Sequence, residues 1–329
     1  MKKSIFIFLL IVLPTLAGAV TSIGSGIVAN INPENPGPNE PVTVKLESYS
    51  VDLDRSLITW YINKQKISAG IGQKTLSNKV GQLGIISNWS VVVETPSGQE
   101  LTGNINFNPA IVNLLWQAET YVPTWYLGKA LPSPSSQVKI LALVEIKKVT
   151  GQSYKNSELV YNWYREGKFL SVSSGVGKDN INITTNNDFT PTKIELKVSS
   201  LDQTTNTNGS LELKNTNPKL LIFPQASSTV FYPFGNSITL DNSITTLIVE
   251  PFYFSNQDFI DNNLLFNWKL NNKTVTPDPT QPNSLTPNLS SFSGPVNLNL
   301  EVKNKKSFFQ SASYQGIIKL APKSSLFNL

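Results

Sequence analysis

Three tryptophans constrain this chain more than any other feature. Trp60, Trp163 and Trp268 stand 103 and 105 residues apart. Each lies late in an apolar stretch: Leu57-Ile58-Thr59-Trp60-Tyr61, Leu159-Val160-Tyr161-Asn162-Trp163-Tyr164 and Leu264-Leu265-Phe266-Asn267-Trp268. Each is followed by a turn-forming run, Asn63-Lys64-Gln65-Lys66, Arg165-Glu166-Gly167-Lys168 and Asn271-Asn272-Lys273. Self-similarity at a fixed spacing marks a repeated unit, and about 100 residues is the length of one small β-sandwich.

Other markers recur in step. Gly70-Ile71-Gly72-Gln73-Lys74 and Gly175-Val176-Gly177-Lys178 follow the first two turns. Each unit then carries an alternating strand, Trp89-Ser90-Val91-Val92-Val93, Lys193-Ile194-Glu195-Leu196-Lys197-Val198 and Val296-Asn297-Leu298-Asn299-Leu300-Glu301-Val302. The units close on Asn108-Pro109, Asn217-Pro218 and Ala321-Pro322, and proline, which cannot donate to a ladder, is a natural stop between strand-built domains. The second and third units begin alike, with Trp116-Gln117-Ala118 ahead of Gly128 and Pro224-Gln225-Ala226 ahead of Gly235. The expected domains are therefore 27–108, 109–217 and 218–322, with a short tail at 323–329.

Within each unit the apolar period is two. Val42/Val44/Leu46, Val138/Ile140/Ala142/Val144 and Leu264/Phe266/Trp268/Leu270 each put apolar side chains on one sheet face. Leu141, Leu143 and Leu265 break the alternation. No window of a dozen residues has a helical stripe, and Gly, Pro, Asn and Ser clusters punctuate the chain as turns do in a sandwich. The expected fold class is all-β, three tandem β-sandwiches.

A strand with a buried Trp, an acidic loop before it and a turn after it resembles strand C of immunoglobulin-like (Ig-like) modules. Ser48-Tyr49-Ser50-Val51-Asp52-Leu53-Asp54 leading into Trp60-Tyr61 is similar to the acidic-loop pattern of bacterial extracellular PKD-type Ig-like domains. The aromatic-Gly-Asp-Gly that commonly follows in PKD domains is missing, and the second unit lacks the acidic loop. The resemblance implies a cell-surface or secreted role.

Composition narrows the chemistry. The chain has no Cys and no His, and its one Met is the initiator. Disulfides, thiolate nucleophiles, His-dependent triads and Cys- or His-ligated metals are thereby excluded. With neither base available and the acids scattered, the reading is non-enzymatic, with no cofactor. Met1-Lys2-Lys3, the apolar run Ile5 to Leu13 and the small residues Ala17 and Ala19 fit a signal peptide over 1–19, bacterial in style, cut between Ala19 and Val20. The alternative is an uncleaved anchor, because apolar and small residues continue to Val28. The expected location is the cell surface or the medium, or the periplasm where an outer membrane exists. No second apolar span follows, so a stable membrane span after cleavage is not expected. Loss of Lys2 and Lys3 brings the charge from +5 to +3, without the dense basic stripe that a nucleic-acid partner needs. A protein or a glycan at the envelope is the expected partner.

Few residues stand out as sites. Asp52 and Asp54 are the candidates for Ca²⁺ ligation, with Asp258 and Asp261 in the corresponding loop of the third unit; the favoured reading is that they cap turns, Asp54 facing Arg55. Trp116, Tyr121, Trp125 and Tyr126 crowd the start of the second unit. Exposed aromatics stack on sugars or anchor a protein; recurrence at the next junction, with Phe223, Phe231, Tyr232 and Phe234, favours a role between domains. The Asn- and Pro-rich tract 271–288 is expected to be disordered. Trp60, Trp163 and Trp268 are the expected centres of the three cores. The functional expectation is a surface scaffold or adhesion module, envelope- or pilus-associated, with a secreted carbohydrate-binding protein as the alternative.

Overall fold

A computed structural model describes residues 19–24, 26–225, 236–240, 245–290, 292 and 294–320. The expected signal peptide, apart from Ala19, lies outside these residues, as do Phe231, Tyr232, Phe234, Pro322 and the tail. Compact grouping gives two units, Met1–Val112 with Val144–Leu159 and Val198–Asn208, and Asn113–Leu143 with Val160–Lys197 and Gly209–Leu329. The middle strands contribute to both.

The described residues are nearly all β, in six sheets. The first eight strands are β1 (Ala19–Gly24), β2 (Ile27–Asn32), β3 (Pro41–Ser48), β4 (Leu57–Ile62), β5 (Gln65–Ile71), β6 (Thr75–Lys79), β7 (Ser87–Glu94) and β8 (Glu100–Phe107). They form sheets ordered β1-β2-β3-β6 and β5-β4-β7-β8. The next eight are β9 (Ile111–Ala118), β10 (Gln137–Glu145), β11 (Leu159–Arg165), β12 (Lys168–Phe169), β13 (Gly175–Val176), β14 (Asn180–Thr184), β15 (Thr192–Ser200) and β16 (Asn206–Leu213). Their sheets run β14-β10-β9 and β12-β11-β15-β16, with β13 also on β11. The last are β17 (Lys219–Pro224), β18 (Ser237–Leu240), β19 (Leu247–Phe252), the single-turn helix α1 (Asn256–Ile260), β20 (Leu264–Leu270), β21 (Lys273–Val275), β22 (Ser284–Leu285), β23 (Val296–Asn304) and β24 (Ser311–Leu320). Here the orders are β17-β19-β22 and β18-β24-β23-β20-β21.

The same plan recurs three times. The Trp strand sits between its hairpin partner and the penultimate long strand, and a second sheet is built from the strands that open the unit. This is an Ig-like layering of two sheets. Alternation explains the burial: Val42, Val44 and Leu46 are buried while Thr43 and Lys45 face water, and Val138, Ile140 and Ala142 are buried while Lys139 faces water. Leu141, Leu143 and Leu265, the exceptions to the pattern, are on the exposed side.

Trp60, Trp163 and Trp268 are fully buried, at 0% exposure each. Each indole N–H donates to a main-chain carbonyl 13 to 15 residues on: Trp60 to Gln73 O at 3.0 Å, Trp163 to Lys178 O at 2.9 Å and Trp268 to Pro282 O at 3.1 Å. A buried indole needs such an acceptor, since an unmade bond leaves a desolvated donor. In the first two units the acceptor directly follows a glycine in the left-handed region, Gly72 (φ 71°) and Gly177 (φ 69°). A Cβ on Gly72 would sit 3.0 Å from Asp54 O. The repeated Gly-x-Gly thus turns the chain so that its next carbonyl meets the Trp.

The turn after each Trp strand is also the same device. Ile62 pairs with Gln65, Arg165 with Lys168 and Leu270 with Lys273, leaving two-residue loops. Both loop residues have positive φ in every case: Asn63 and Lys64, Glu166 and Gly167, Asn271 and Asn272. That is the type I′ geometry whose twist matches paired strands. The first loop residue also hooks the strand two positions across the fold. Asn63 donates its N–H to Asn88 O at 2.7 Å and its Oδ1 accepts from Asn88 N–H at 2.9 Å. Glu166 does the same with Lys193, at 3.0 and 2.7 Å, and Asn271 with Asn297, at 2.9 and 2.8 Å. Lys64 is exposed and holds φ 69° without the freedom of glycine. Lys64→Gly is expected to stabilise the first sandwich by about 0.5–1 kcal/mol, read as a shift of the urea midpoint; a loss of stability would contradict this account of the turn.

The tract 271–288 departs from the expected disorder. It holds β21 and β22, Leu285 is buried, and Pro282 supplies the carbonyl for Trp268. Val249 N–H donates to Asn283 O at 2.9 Å and Asn283 Nδ2 donates back to Val249 O at 3.4 Å, tying the tract to β19. The four prolines remove four donors, and the buried Leu285 side chain pins the tract.

Candidate functional site

Two of the three acids in and beside the acidic loop of the first unit are paired with lysines. Asp54 pairs with Lys74 at 2.8 Å rather than with Arg55, and Lys45 pairs with Glu47 at 3.0 Å. Asp52 Oδ1 accepts from the main-chain N–H of Arg55 at 3.3 Å, as a turn-capping carboxylate does. In the third unit Asp258 accepts from Asn304 Nδ2 at 2.8 Å and pairs with Lys306 at 3.1 Å. Burial pushes its carboxyl up, but the bonds from Asn304 and Lys306 outweigh it and hold the group below the usual range. Asp261 accepts from Gln257 Nε2 at 2.9 Å. Among the described residues no three acidic side chains converge.

Three of the four aromatics at the start of the second sandwich are built into the third. The segment after β9 runs antiparallel to residues 252–256: Thr120 bridges Ser255, Tyr121 N–H donates to Phe254 O at 2.7 Å, and Tyr253 N–H returns to Tyr121 O at 2.8 Å. The Tyr121 ring tilts onto Phe259 at 4.5 Å between centroids. The Trp125 ring meets Phe223 edge-on at 5.4 Å and Phe252 at 6.0 Å, and Tyr126 meets Phe252 at 5.1 Å. Such edge-to-face pairs contribute beyond their buried area. Phe223 and Phe252 are themselves buried. Trp116 stands apart, with Lys129 Nζ over its ring at 3.2 Å; burial holds the Lys129 ammonium below its ordinary value. All four rings are half-buried.

At the centre of this seam Tyr121 Oη donates to Glu250 Oε2 at 2.5 Å. Burial raises the Glu250 carboxyl, and the bond from Tyr121 only partly offsets it. Burial also raises Tyr121, reinforced by the bond to Glu250. Because folding raises the Glu250 pKa, its contribution is fully present below the unfolded value and is lost as pH rises through the folded one. Urea unfolding across about pH 4 to 7 should therefore show wild type losing ground to Glu250→Gln as pH rises. A difference that stays constant, or grows the other way, would contradict this. Carboxylates common to both proteins, Asp258 among them, cancel in the comparison.

Sequence reasoning did not find the hooks Asn63, Glu166 and Asn271, although they share the spacings of the tryptophans; the change from amide to acid hid them. It also missed the landing surface of Phe252, Glu250 and Phe259, which no period announces.

Fold and geometry together define the class: a chain of Ig-like β-sandwiches. No family model matches it, and no curated protein does. Among solved structures it is similar to the three N-terminal domains of the Highly Immunogenic Outer Capsid protein of bacteriophage RB49, at 12% identity and TM-score 0.26, covering 92% of this chain and 100% of that one. It is similar to SGBP-B of the Bacteroides ovatus mixed-linkage glucan utilization locus, solved with a mixed-linkage heptasaccharide, at 12% identity and TM-score 0.25, covering 90% and 72%. The Clostridium thermocellum CbhA fibronectin(III)-like modules match at 11% identity and TM-score 0.26, covering 57% and 93%. Scores of this size carry no functional inference.

Proposed function

We propose that this chain is an exported, non-enzymatic array of three Ig-like domains, bounded near 27–108, 109–217 and 218–322, that serves as a scaffold or adhesion module at the cell envelope. The carrying observation is the seam between the second and third sandwiches. Tyr121, Trp125 and Tyr126, the residues best suited to gripping a ligand, are packed into Phe223, Phe252 and Phe259. Their chemistry goes into fixing one sandwich on the next, as an array that transmits force or presents its far end requires, and binding falls to loops and open sheet edges. The acidic loop before Trp60 supports reading the first domain as PKD-type. The Lys-Lys leader supports export from a bacterial cell.

Crosslinking of intact producing cells, followed by mass spectrometry of peptides joined to residues 20–329, tests the role. Repeated crosslinks to one envelope protein are the expected result and would show which domain carries the interface. Crosslinks confined to the chain, with the protein mainly in the medium, would overturn it in favour of a secreted glycan binder.

A further inference from the structure

Five carboxamides converge on one cavity of the first compact unit. The cavity, about 270 Å³, lies between the loop after β2, the strand β8 and the turn that leads from β15 into β16. Asn35, Asn104, Asn106, Asn108 and Asn206 line it, together with the hydroxyl residues Thr204 and Thr205. Ile31, Pro36, Ile105 and Phe107 line the same cavity and are buried, which gives it an apolar base. Convergent polar groups over an apolar base are what a small-ligand site needs.

The walls are held in place. Gly37 N–H donates to Glu40 Oε2 at 2.6 Å and fixes the loop after β2. Thr204 donates its hydroxyl and its N–H to Asp202 Oδ1, at 2.9 and 3.2 Å, and Thr205 N–H donates to Ser200 Oγ at 3.1 Å. Asn108 Nδ2 joins the two sides, donating to Thr205 Oγ1 at 2.9 Å and to Lys147 O at 3.5 Å. A main-chain carbonyl only accepts, so these bonds settle which end of the Asn108 amide is the nitrogen. The other end, Oδ1, is buried and has no donor among the described residues. An acceptor withdrawn from water without a partner is costly, and a ligand in the cavity can supply the donor. Asn88 Nδ2 donates to Asn106 Oδ1 at 2.7 Å, so Asn106 offers its Nδ2. The Asn35, Asn104 and Asn206 amides make no side-chain hydrogen bond among the described residues.

The lining selects the ligand. Glu34 carries its only charge, and no Lys or Arg lines the cavity to receive an anion, so a carboxylated or phosphorylated ligand is repelled. The occupant is neutral, brings an N–H for Asn108 Oδ1, an acceptor for Asn106 Nδ2 and a small apolar group for the base. A peptide unit offers one donor and one acceptor, too few for five amides. An N-acetylated sugar offers the amide N–H, the carbonyl and the methyl group together, and each ring hydroxyl both donates and accepts.

We propose that this cavity binds a neutral N-acetylated saccharide, with Asn108 Oδ1 accepting from the acetamido N–H. The site stands whether crosslinks place the chain at the envelope or in the medium. Isothermal titration of the full chain with triacetylchitotriose should give saturable heat. Cellotriose, which has hydroxyls in place of the acetamido groups, should bind at least about tenfold more weakly. Asn108→Ala should weaken the acetylated trimer about tenfold. Because that change also cuts the bond to Thr205, the pair Asn104→Ala with Asn206→Ala, at two exposed positions, gives a second reading: binding weakened severalfold at an unchanged urea midpoint. Asn182→Ala, at an exposed amide of β14, should leave binding as in wild type. The absence of heat with triacetylchitotriose, equal binding of cellotriose or of N-acetyl-trialanine amide, or binding that the Asn104/Asn206 pair leaves intact would overturn the proposal.

Discussion

Trp268→Ala is expected to cost the third sandwich about 3–5 kcal/mol, a large share of one small domain's stability. The indole is fully buried in a cluster with Leu270, Leu285, Leu298 and Leu300, so its removal leaves a cavity as well as a lost transfer term. The Pro282 carbonyl also loses its donor. Trp268→Phe separates the two effects: most of the volume stays, the N–H goes, and the expected cost falls to about 1–2 kcal/mol. Urea unfolding followed by circular dichroism measures both. Equal losses from the two substitutions would mean that the hydrogen bond, not the packing, dominates.

Trp125→Ala is expected to cost about 2–4 kcal/mol and to act on the third sandwich although the residue belongs to the second. The ring covers Phe223 and Phe252, both nearly without exposure in the intact chain; truncation puts both in reach of water. Limited proteolysis should then cut faster between Tyr121 and Lys129, where the chain is otherwise clamped by the Thr120–Ser255 bridge. Unchanged proteolysis together with unchanged stability would show that Trp125 is an ornament of the seam, not part of it.

Much of this fold is legible in the sequence. The period of two in β3, β10 and β20 follows from the pleat, and the burial of the three tryptophans follows from their place in β4, β11 and β20. The turns were legible too, because Asn and Gly accept positive φ where other residues resist it. Three things were not. The carbonyl that each indole finds lies in a loop with no side-chain signature. Asp54 chose Lys74 over its sequence neighbour Arg55 because strand pairing brings the loop after β5 beside it. The tract 271–288 reads as disordered by composition, yet Leu285 within it and Leu289 just after it are buried and anchor it. The seam was legible by half: the crowding of aromatics from Trp116 to Tyr126 was visible, but not the partner surface on β19 and α1.

Native-state hydrogen exchange on wild type and Trp268→Ala tests most directly the claim that each sandwich has its own Trp-centred core. The first cluster, from Ile27 to Phe107, and the third, from Leu220 to Ile318, are distinct sets of buried residues. The variant should therefore lose protection across β20, β23 and β24 while β3, β4 and β7 exchange as in wild type. Loss of protection spread evenly over the strands from 27 to 320 would contradict the separate cores.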